Sequence, residues 1–273
     1  MYESHFGLSR RPFGETADPS AYVPLPTREA VARRLRYGME HGQGPALVFG
    51  PPGSGKTLLA RTIGRDLGMP TAHLTFPAMP AGELLAYLAD ELDADDDPSA
   101  RPDPATPTGS ALRRLRRRLS ESAARGERPL LVVDEAHLID DPASFEALRA
   151  LLNFTTLGPP DLMLLLVGGP EVLLRLPAGL TDRLTARCLL GPLSESESSA
   201  YVHGRLASAG ASEPLFTPDA LATLHRAAEG LPRRLNRLAD LALLIAYAEG
   251  LPRPDARVAS AAAREADPDA LAA

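Results

Sequence analysis

The sequence predicts an α/β domain followed by a smaller all-helical one. Short apolar runs alternate with helical patterns up to about residue 191. One of those runs, ALVF, opens straight into the glycine-rich stretch GPPGSGKT at 50–57. After Pro192 the strand patterns stop and four helical ones follow. The expected division is therefore 1–191 and 192–273.

In order along the first part, PTREAVARRLRYGMEHG (26–42) predicts a helix, with Thr27 as its N-cap and Ala30, Val31, Leu35 and Met39 at helical spacing. ALVF (46–49) predicts a short buried strand, and a helix follows over 56–68. AHLTF (72–76) reads as a strand and AGELLAYLADEL (81–92) as a helix. Residues 93–110, DADDDPSARPDPATPTGS, predict a mobile acidic and proline-rich surface loop within the domain, because strand–helix alternation resumes after it. ALRRLRRRLSESAARG (111–126) predicts a helix whose core side is Leu112, Leu115 and Leu119. PLLVVDE (129–135) predicts a strand ending in two carboxylates, DPASFEALRALLNF a helix, and DLMLLLVGG (161–169) a buried strand. A short helix and a last strand near 185–189 close the pattern.

In the second part, Ser194 with Glu197 predicts a capping box for a helix reaching about residue 209. Thr217 with Pro218 at the first helical position opens the next. PRRLNRLADLALLIAYAEG predicts a third helix ending at Gly250, and DARVASAAARE a fourth.

Composition narrows the class. A chain of 273 residues with 44% hydrophobic content can bury one large core or two modest ones. A net charge of −6 disfavours a constitutive nucleic-acid coat, although a local basic patch remains compatible with it. One cysteine, Cys188, excludes an intrachain disulfide and a cysteine zinc cluster. The opening MYESHFGLSRRPF has no apolar core of signal-peptide length, and LADLALLIAYA is too short and too interrupted by Asp240 to span a bilayer. A cytoplasmic protein with no integral membrane segment is expected.

GPPGSGKT fits the phosphate-loop pattern G-x-x-x-x-G-K-[ST] and stands between a strand and a helix, as that chemistry requires. Gly50, Gly53 and Gly55 let backbone N–H groups turn inward onto phosphate oxygens, and the helix start adds partial positive charge. The expected nucleotide-binding residues are Gly50, Pro51, Pro52, Gly53, Ser54, Gly55, Lys56, Thr57 and Leu58, with Lys56 at the terminal phosphates and the Thr57 hydroxyl on Mg²⁺. Lys56 is the single lysine among 29 basic residues. Lysine, asparagine and isoleucine are all scarce, which is a coding bias toward arginine. A lysine surviving that bias marks a position where a compact ammonium fits and a planar guanidinium does not.

LLVVDEAH supplies the partner motif. Asp134 is expected to hold Mg²⁺ directly or through water, and Glu135 to polarise the attacking water as general base. DEAH also names a helicase class, but those enzymes carry two motor domains, and the residues after 192 suffice only for a small helical bundle. His137 then reads as a packing or polar-contact residue. LTDRLTARC puts Arg183 and Arg187 at the end of the α/β block, and GLPRRLN puts Arg233 at a helix start beside Arg234 and the rare Asn236. In an arginine-rich chain a solvated charge is the default for each; position singles out Arg183 and Arg233 as candidates to stabilise charge at the γ-phosphate.

With these motifs the sequence resembles the AAA+ ATPases, and within them the ExeA/GspA group, with TnsC- and MuB-type transposition ATPases as relatives. The resemblance runs over nearly the whole chain: the opening MYESHFGLSRRPF, GPPGSGKT and DEAH as Walker A and Walker B, LLLVGGPE as the sensor-1 strand, DRLTARCLLGPLSESE as the arginine-finger segment, and GLPRRLN as the Gly-x-Pro-Arg sensor-2 motif. It implies a three-layer domain with a five-stranded parallel sheet in order 5-1-4-3-2, a C-terminal helical lid, ATP bound with Mg²⁺, and assembly into a homo-oligomeric ring or filament. It also implies Arg183 as the finger ahead of Arg187, and Arg233 as sensor 2. The sequence departs from the group in three respects. Gly169 stands where a polar residue, often Gln, is usual; His137 stands where Gln is usual; and ExeA-type members continue into a membrane anchor and a peptidoglycan-binding domain that are not in this sequence.

Two functions follow from different classes. The first is an ATP-hydrolysing switch that oligomerises and acts on a protein partner, as in secretion and assembly. The second is an ATP-dependent DNA-binding scaffold of the transposition type, for which the discriminating feature is RRLRRR, Arg113 to Arg118. The overall acidic balance favours reading those arginines as a solvated helix face paired with the acidic loop. A signalling NTPase is disfavoured by Arg233, where such proteins usually carry an apolar residue after the proline. Gly168 and Gly169 offer only backbone at the end of their strand, so tight ATP binding with slow basal hydrolysis is expected, with Thr155 or Thr156 as stand-ins for the missing polar group.

Overall fold

The computed structural model describes residues 1–14, 16–42, 44–94 and 108–266. In chain order the elements are α1 (Tyr2–His5), α2 (Pro26–His41), β1 (Ala46–Phe49), α3 (Lys56–Leu67), β2 (Thr71–Leu74), α4 (Ala81–Ala94), α5 (Thr108–Ala124), β3 (Leu130–Val133), α6 (Pro142–Leu151), β4 (Met163–Gly168), α7 (Val172–Arg175), α8 (Ala178–Thr181), β5 (Ala186–Leu189), α9 (Glu195–Ser208), α10 (Pro218–Ala228), α11 (Pro232–Ala248) and α12 (Ala256–Ala266). The loop expected at 93–110 falls mostly outside the described residues, with α4 reaching Ala94 and α5 starting at Thr108. The chain divides into two compact units: Arg28–Pro51 with Leu59–Leu190, and Met1–Thr27 with Pro52–Leu58 and the residues from Gly191 onward.

The first unit is built on one five-stranded sheet, all parallel, in the order β2-β3-β4-β1-β5. This is the expected order 5-1-4-3-2 read from the other edge. β3 and β4 are buried along their whole length. That is why both read as unbroken apolar runs: parallel strands covered by helices have no wet face. β5 is an edge strand and alternates, with Ala186 and Cys188 inside and Arg187 and Leu189 outside. Leu47, Leu74, Val133, Leu164 and Leu166 pack with Leu88, Leu115, Phe145 and Leu148 into the core of this unit. Chain order reverses between β1 and β4, and there the Gly50 N–H donates to the Gly168 carbonyl at 3.2 Å. Ligands of open α/β sheets bind at such a switch point, outside the carboxyl ends of the strands.

Two local details differ from expectation. Leu112 is exposed; the buried face of α5 is Ala111, Leu115, Arg118, Leu119 and Ser122, a stripe at helical spacing that runs through 111 and leaves 112 to one side. Thr27 does not cap α2, which opens at Pro26. The Thr27 hydroxyl and N–H instead donate to the Glu197 carboxylate at 2.6 and 3.1 Å.

The second unit is helical. Ser194 and Glu197 form the reciprocal capping box of α9, and the Thr217 hydroxyl caps α10. The first residues of the chain pack here. Tyr2, Phe6, Leu8 and Phe13 enter the core formed by Leu206, Phe216, Leu224, Leu235, Leu243 and Val258. The segment is too short to bury those four side chains against itself, so it borrows the α9–α12 bundle. Arg205, 5% exposed, fixes its far end by donating to the carbonyls of Pro12 (2.9 Å) and Gly14 (3.0 Å) and to the Tyr201 hydroxyl (3.1 Å). Asp240 fixes its start, accepting from the Tyr2 hydroxyl at 2.5 Å and pairing with Arg11. Burial, reinforced by that carboxylate, pushes the Tyr2 phenol pKa up.

Candidate functional site

Each unit carries part of the expected set. In the helical unit the loop ends at Lys56, the first residue of α3. Gly53 and Gly55 have φ of +77° and +94°, conformations an L side chain rarely adopts. Lys56 is 7% exposed and Ser54 1%. The Ser54 hydroxyl is enclosed without a hydrogen-bond partner among the described residues. An orphaned hydroxyl, left-handed glycines and a lysine at a helix start together match the donor set that a phosphate chain needs. Thr57, next on α3, is half-buried and offers a hard oxygen of the kind Mg²⁺ takes.

The start of α11 is joined to this loop. The Arg233 N–H donates to the Gly53 carbonyl at 3.2 Å, and a Cβ on Gly53 would lie 2.9 Å from the Arg233 Cβ. α11 has no side-chain cap, so the loop carbonyl takes one of its first-turn donors. The turn before it needs two left-handed residues, Glu229 at φ +52° and Gly230 at φ +67°, and a Cβ on Gly230 would press into the Leu193 carbonyl at 2.3 Å. That is the physical demand behind the glycine of GLPRRLN. Asn236 turns inward and accepts from the Tyr201 hydroxyl at 3.0 Å, a structural task.

In the α/β unit, Asp134 continues β3 by one pairing, its N–H donating to the Leu74 carbonyl at 2.8 Å. Its carboxylate is 3% exposed as a residue, accepts the Glu135 N–H at 2.9 Å, and faces His73 Nε2 at 3.4 Å. Glu135 is left-handed, with φ +49° and ψ +37°. A non-glycine residue held in that region stores strain of the order of ~1 kcal/mol. The Ala136–Leu138 3₁₀ turn that follows brings His137 back over the chain. Its Nδ1 accepts the Gly169 N–H at 3.1 Å and lies 3.4 Å from Glu135 Oε2.

Gly168 and Gly169 are bare, as expected, but the stand-in differs from the expected one. The Thr156 hydroxyl and N–H both bind Asp161, at 2.8 and 2.7 Å, and Thr155 is exposed. His137 is the polar side chain at this strand end instead: its Nδ1 accepts the Gly169 N–H and would lie 3.4 Å from a Cβ on Gly168. The sequence signal was the histidine two residues after Glu135, but its meaning depends on the ends of β3 and β4 lying side by side.

Arg183 stands in the turn between α8 and β5, before the last strand, with its Nη1 donating to Asn153 Oδ1 at 3.2 Å. Arg187 lies on the outer face of β5, with its guanidinium 5.7 Å from the Phe49 ring centroid. β4 and β1 separate β5 from β3 in the sheet, so neither arginine belongs to the Asp134–Glu135 cluster. In RRLRRR, Arg114 is bound by Asp90 and Asp93, each at 2.6 Å, and Arg118 is buried, leaving Arg113, Arg116 and Arg117 exposed.

Comparison with known proteins agrees with this architecture. A family described as an AAA domain matches residues 39–176. General secretion pathway protein A of Aeromonas hydrophila is 39% identical over 258 residues, covering 90% of this chain and 45% of that protein, so the chain spans somewhat under half of this relative's length. Among solved structures, the Aeropyrum pernix ORC2 protein matches with a TM-score of 0.69 at 19% identity, over 94% of this chain and 71% of that one. Cdc6p of Pyrobaculum aerophilum matches with a TM-score of 0.69 at 19% identity, over 89% of this chain and 67% of that one. The RuvB branch migration motor of Thermotoga maritima matches with a TM-score of 0.59 at 20% identity, over 86% and 67%. At these identities the structures speak for the fold alone. No helix among the described residues is long and apolar enough to cross a membrane.

Proposed function

This chain belongs to the AAA domain family, and from that premise we propose that it is an ATP-hydrolysing switch that assembles with further copies of itself and acts on a protein partner. The observation that carries the reading is the phosphate loop: the one lysine of the sequence, buried at a helix start, beside an enclosed serine hydroxyl and two left-handed glycines. In the proposal, Gly50 to Leu58 cradle the phosphates, Lys56 neutralises the terminal ones, and Arg233, tied to Gly53, responds to them. Thr57 offers its hydroxyl to Mg²⁺ from the loop, and Asp134 offers a carboxylate oxygen from the end of β3. Bound Mg²⁺ supplies neutralisation of charge developing on the phosphate oxygens. Glu135 takes a proton from the attacking water.

Arg183, away from the acidic cluster, is proposed to serve a neighbouring copy of the chain. Basal turnover is proposed to be slow. The His137 nitrogen that faces Glu135 is engaged as an acceptor from Gly169 and in that state donates nothing to the carboxylate. A partner in secretion or assembly is the reading that the similarity to General secretion pathway protein A supports. The alternative, an ATP-dependent DNA scaffold, draws on the DNA-bound ORC structures among its fold relatives and on Arg113, Arg116 and Arg117. It is weakened by the pairing of Arg114 and the burial of Arg118.

The test is ATP turnover and particle mass, measured with and without nucleotide and with and without duplex DNA. ATP-dependent growth in mass with hydrolysis that DNA leaves unchanged supports the switch. DNA-dependent assembly replaces it with the scaffold, and absence of hydrolysis under every condition refutes the switch.

A further inference from the structure

We propose that His137 is a positioning residue for Glu135, supplying from the turn after β3 the polar contact that the bare end of β4 lacks. The inference rests on the reading of Glu135 as general base. Three observations carry it. The imidazole Nδ1 is 3.4 Å from Glu135 Oε2. The same nitrogen accepts the Gly169 N–H at 3.1 Å. The ring borders the bare strand end: a Cβ on Gly168 would lie 3.4 Å from His137 Nδ1 and 3.3 Å from the Val172 Cβ.

The chemistry of the ring makes this a choice between two partners. As acceptor from Gly169, Nδ1 carries no proton, and the imidazole is the Nε2–H tautomer. To donate to Glu135, Nδ1 must carry the proton and release the Gly169 amide. No side chain but His137 joins the end of β4 to Glu135 in this way among the contacts of the described residues. Glu171, whose Oε2 would lie 2.2 Å from a Cβ on Gly169, is the other charged group at this strand end. The Glu135 side chain is partly exposed, and the contact its carboxylate makes among those described is the one with His137 at 3.4 Å. In the working state a proton on Nδ1 lets His137 donate to the carboxylate and orient it toward water; in the structure the same nitrogen instead accepts the Gly169 N–H.

The test uses the whole chain and measures kcat for ATP hydrolysis alongside the Kd of a non-hydrolysable ATP analogue. His137→Phe keeps the ring shape and removes both nitrogens. It is expected to lower kcat about tenfold to a hundredfold, as loss of one orienting hydrogen bond implies, with the analogue's Kd unchanged. His137→Gln, whose amide both donates and accepts, is expected to recover kcat to within about threefold, as a role in orienting a single hydrogen bond implies. Glu135→Gln run beside them separates the two readings. If it abolishes turnover while His137→Phe hydrolyses at the wild-type rate, the positioning role is refuted and the general base stands. If Glu135→Gln turns over normally, the base assignment itself fails. Equal losses in kcat and affinity for both His137 variants would mark a purely structural residue and also overturn the proposal.

Discussion

The phosphate loop and the acidic end of β3 are both turns at the ends of buried strands, yet they are held by different means. Backbone holds the loop. Gly53 and Gly55 are left-handed, the Gly53 carbonyl accepts from the Arg233 N–H, and the Gly50 N–H donates to the Gly168 carbonyl. Side chains hold the acidic end. Asp134 accepts from the N–H of Glu135, His73 faces Asp134, and His137 reaches both Glu135 and Gly169. A backbone-held turn constrains its residue types through conformation: Gly53 and Gly55 are both left-handed, and at Gly53 an added Cβ would also meet the Arg233 Cβ at 2.9 Å. A side-chain-held turn can move a polar group from one element to another, provided the space it leaves is closed.

The largest effects are expected at two single side chains, the proposed finger Arg183 and the proposed base Glu135. Arg183→Ala is expected to lower turnover by about 10³-fold or more, in the range of arginine fingers elsewhere, and Glu135→Gln by about 10²–10⁴-fold. Mixing the two inactive proteins should recover part of the activity, because some interfaces then contain an intact Arg183 beside an intact Glu135. A mixture as inactive as its components would place Arg183 in its own subunit's chemistry or outside it.

Next comes the loop. Lys56→Arg is expected to lower nucleotide affinity about 100-fold, nearly as far as Lys56→Ala, since a charge-assisted contact is worth about 3 kcal/mol and the planar fork does not replace it. Titration calorimetry reads this directly, and near-normal affinity for the arginine variant would remove the meaning attached to the lone lysine. Gly53→Ala should weaken nucleotide binding about tenfold, because a left-handed alanine costs roughly 1–2 kcal/mol and its methyl would crowd the Arg233 Cβ at 2.9 Å. An unchanged affinity would show that the loop yields more than its geometry implies.

The smallest effect is expected at Gly169. From the sequence, Gly169→Gln should restore a missing polar group and speed hydrolysis. With His137 already there and the Glu171 carboxylate in the path of a Cβ, the substitution is expected to change kcat by less than about threefold, within one weak hydrogen bond. In a His137→Ala background, which removes the imidazole from this strand end, the same substitution should raise kcat above that of His137→Ala alone. A gain in the wild-type background instead would mean that His137 does not cover the bare strand end.

What could be read along the chain was whatever depends on neighbours in sequence. The alternation of apolar runs with helical stripes named the α/β class, Ser194 and Thr217 announced their helices, and the spacing of glycines, Lys56 and Thr57 within one turn defined the phosphate loop. These are local signals, because caps, periodicities and glycine-rich turns act over a few residues. Tertiary structure decided what depends on residues far apart. Tyr2, Phe6, Leu8 and Phe13 looked like the start of the α/β domain and packed among α9–α12, because a short amphipathic segment goes where apolar surface and partners such as Arg205 and Asp240 are available. Leu112 and Thr27 were misassigned by one face and one cap, differences of a residue or two that only packing resolves. His137 read as a contact residue without a contact. Its meaning came from the parallel pairing of β3 with β4, which sets residues 135–137 beside residues 168 and 169, a proximity that spacing along the chain does not encode.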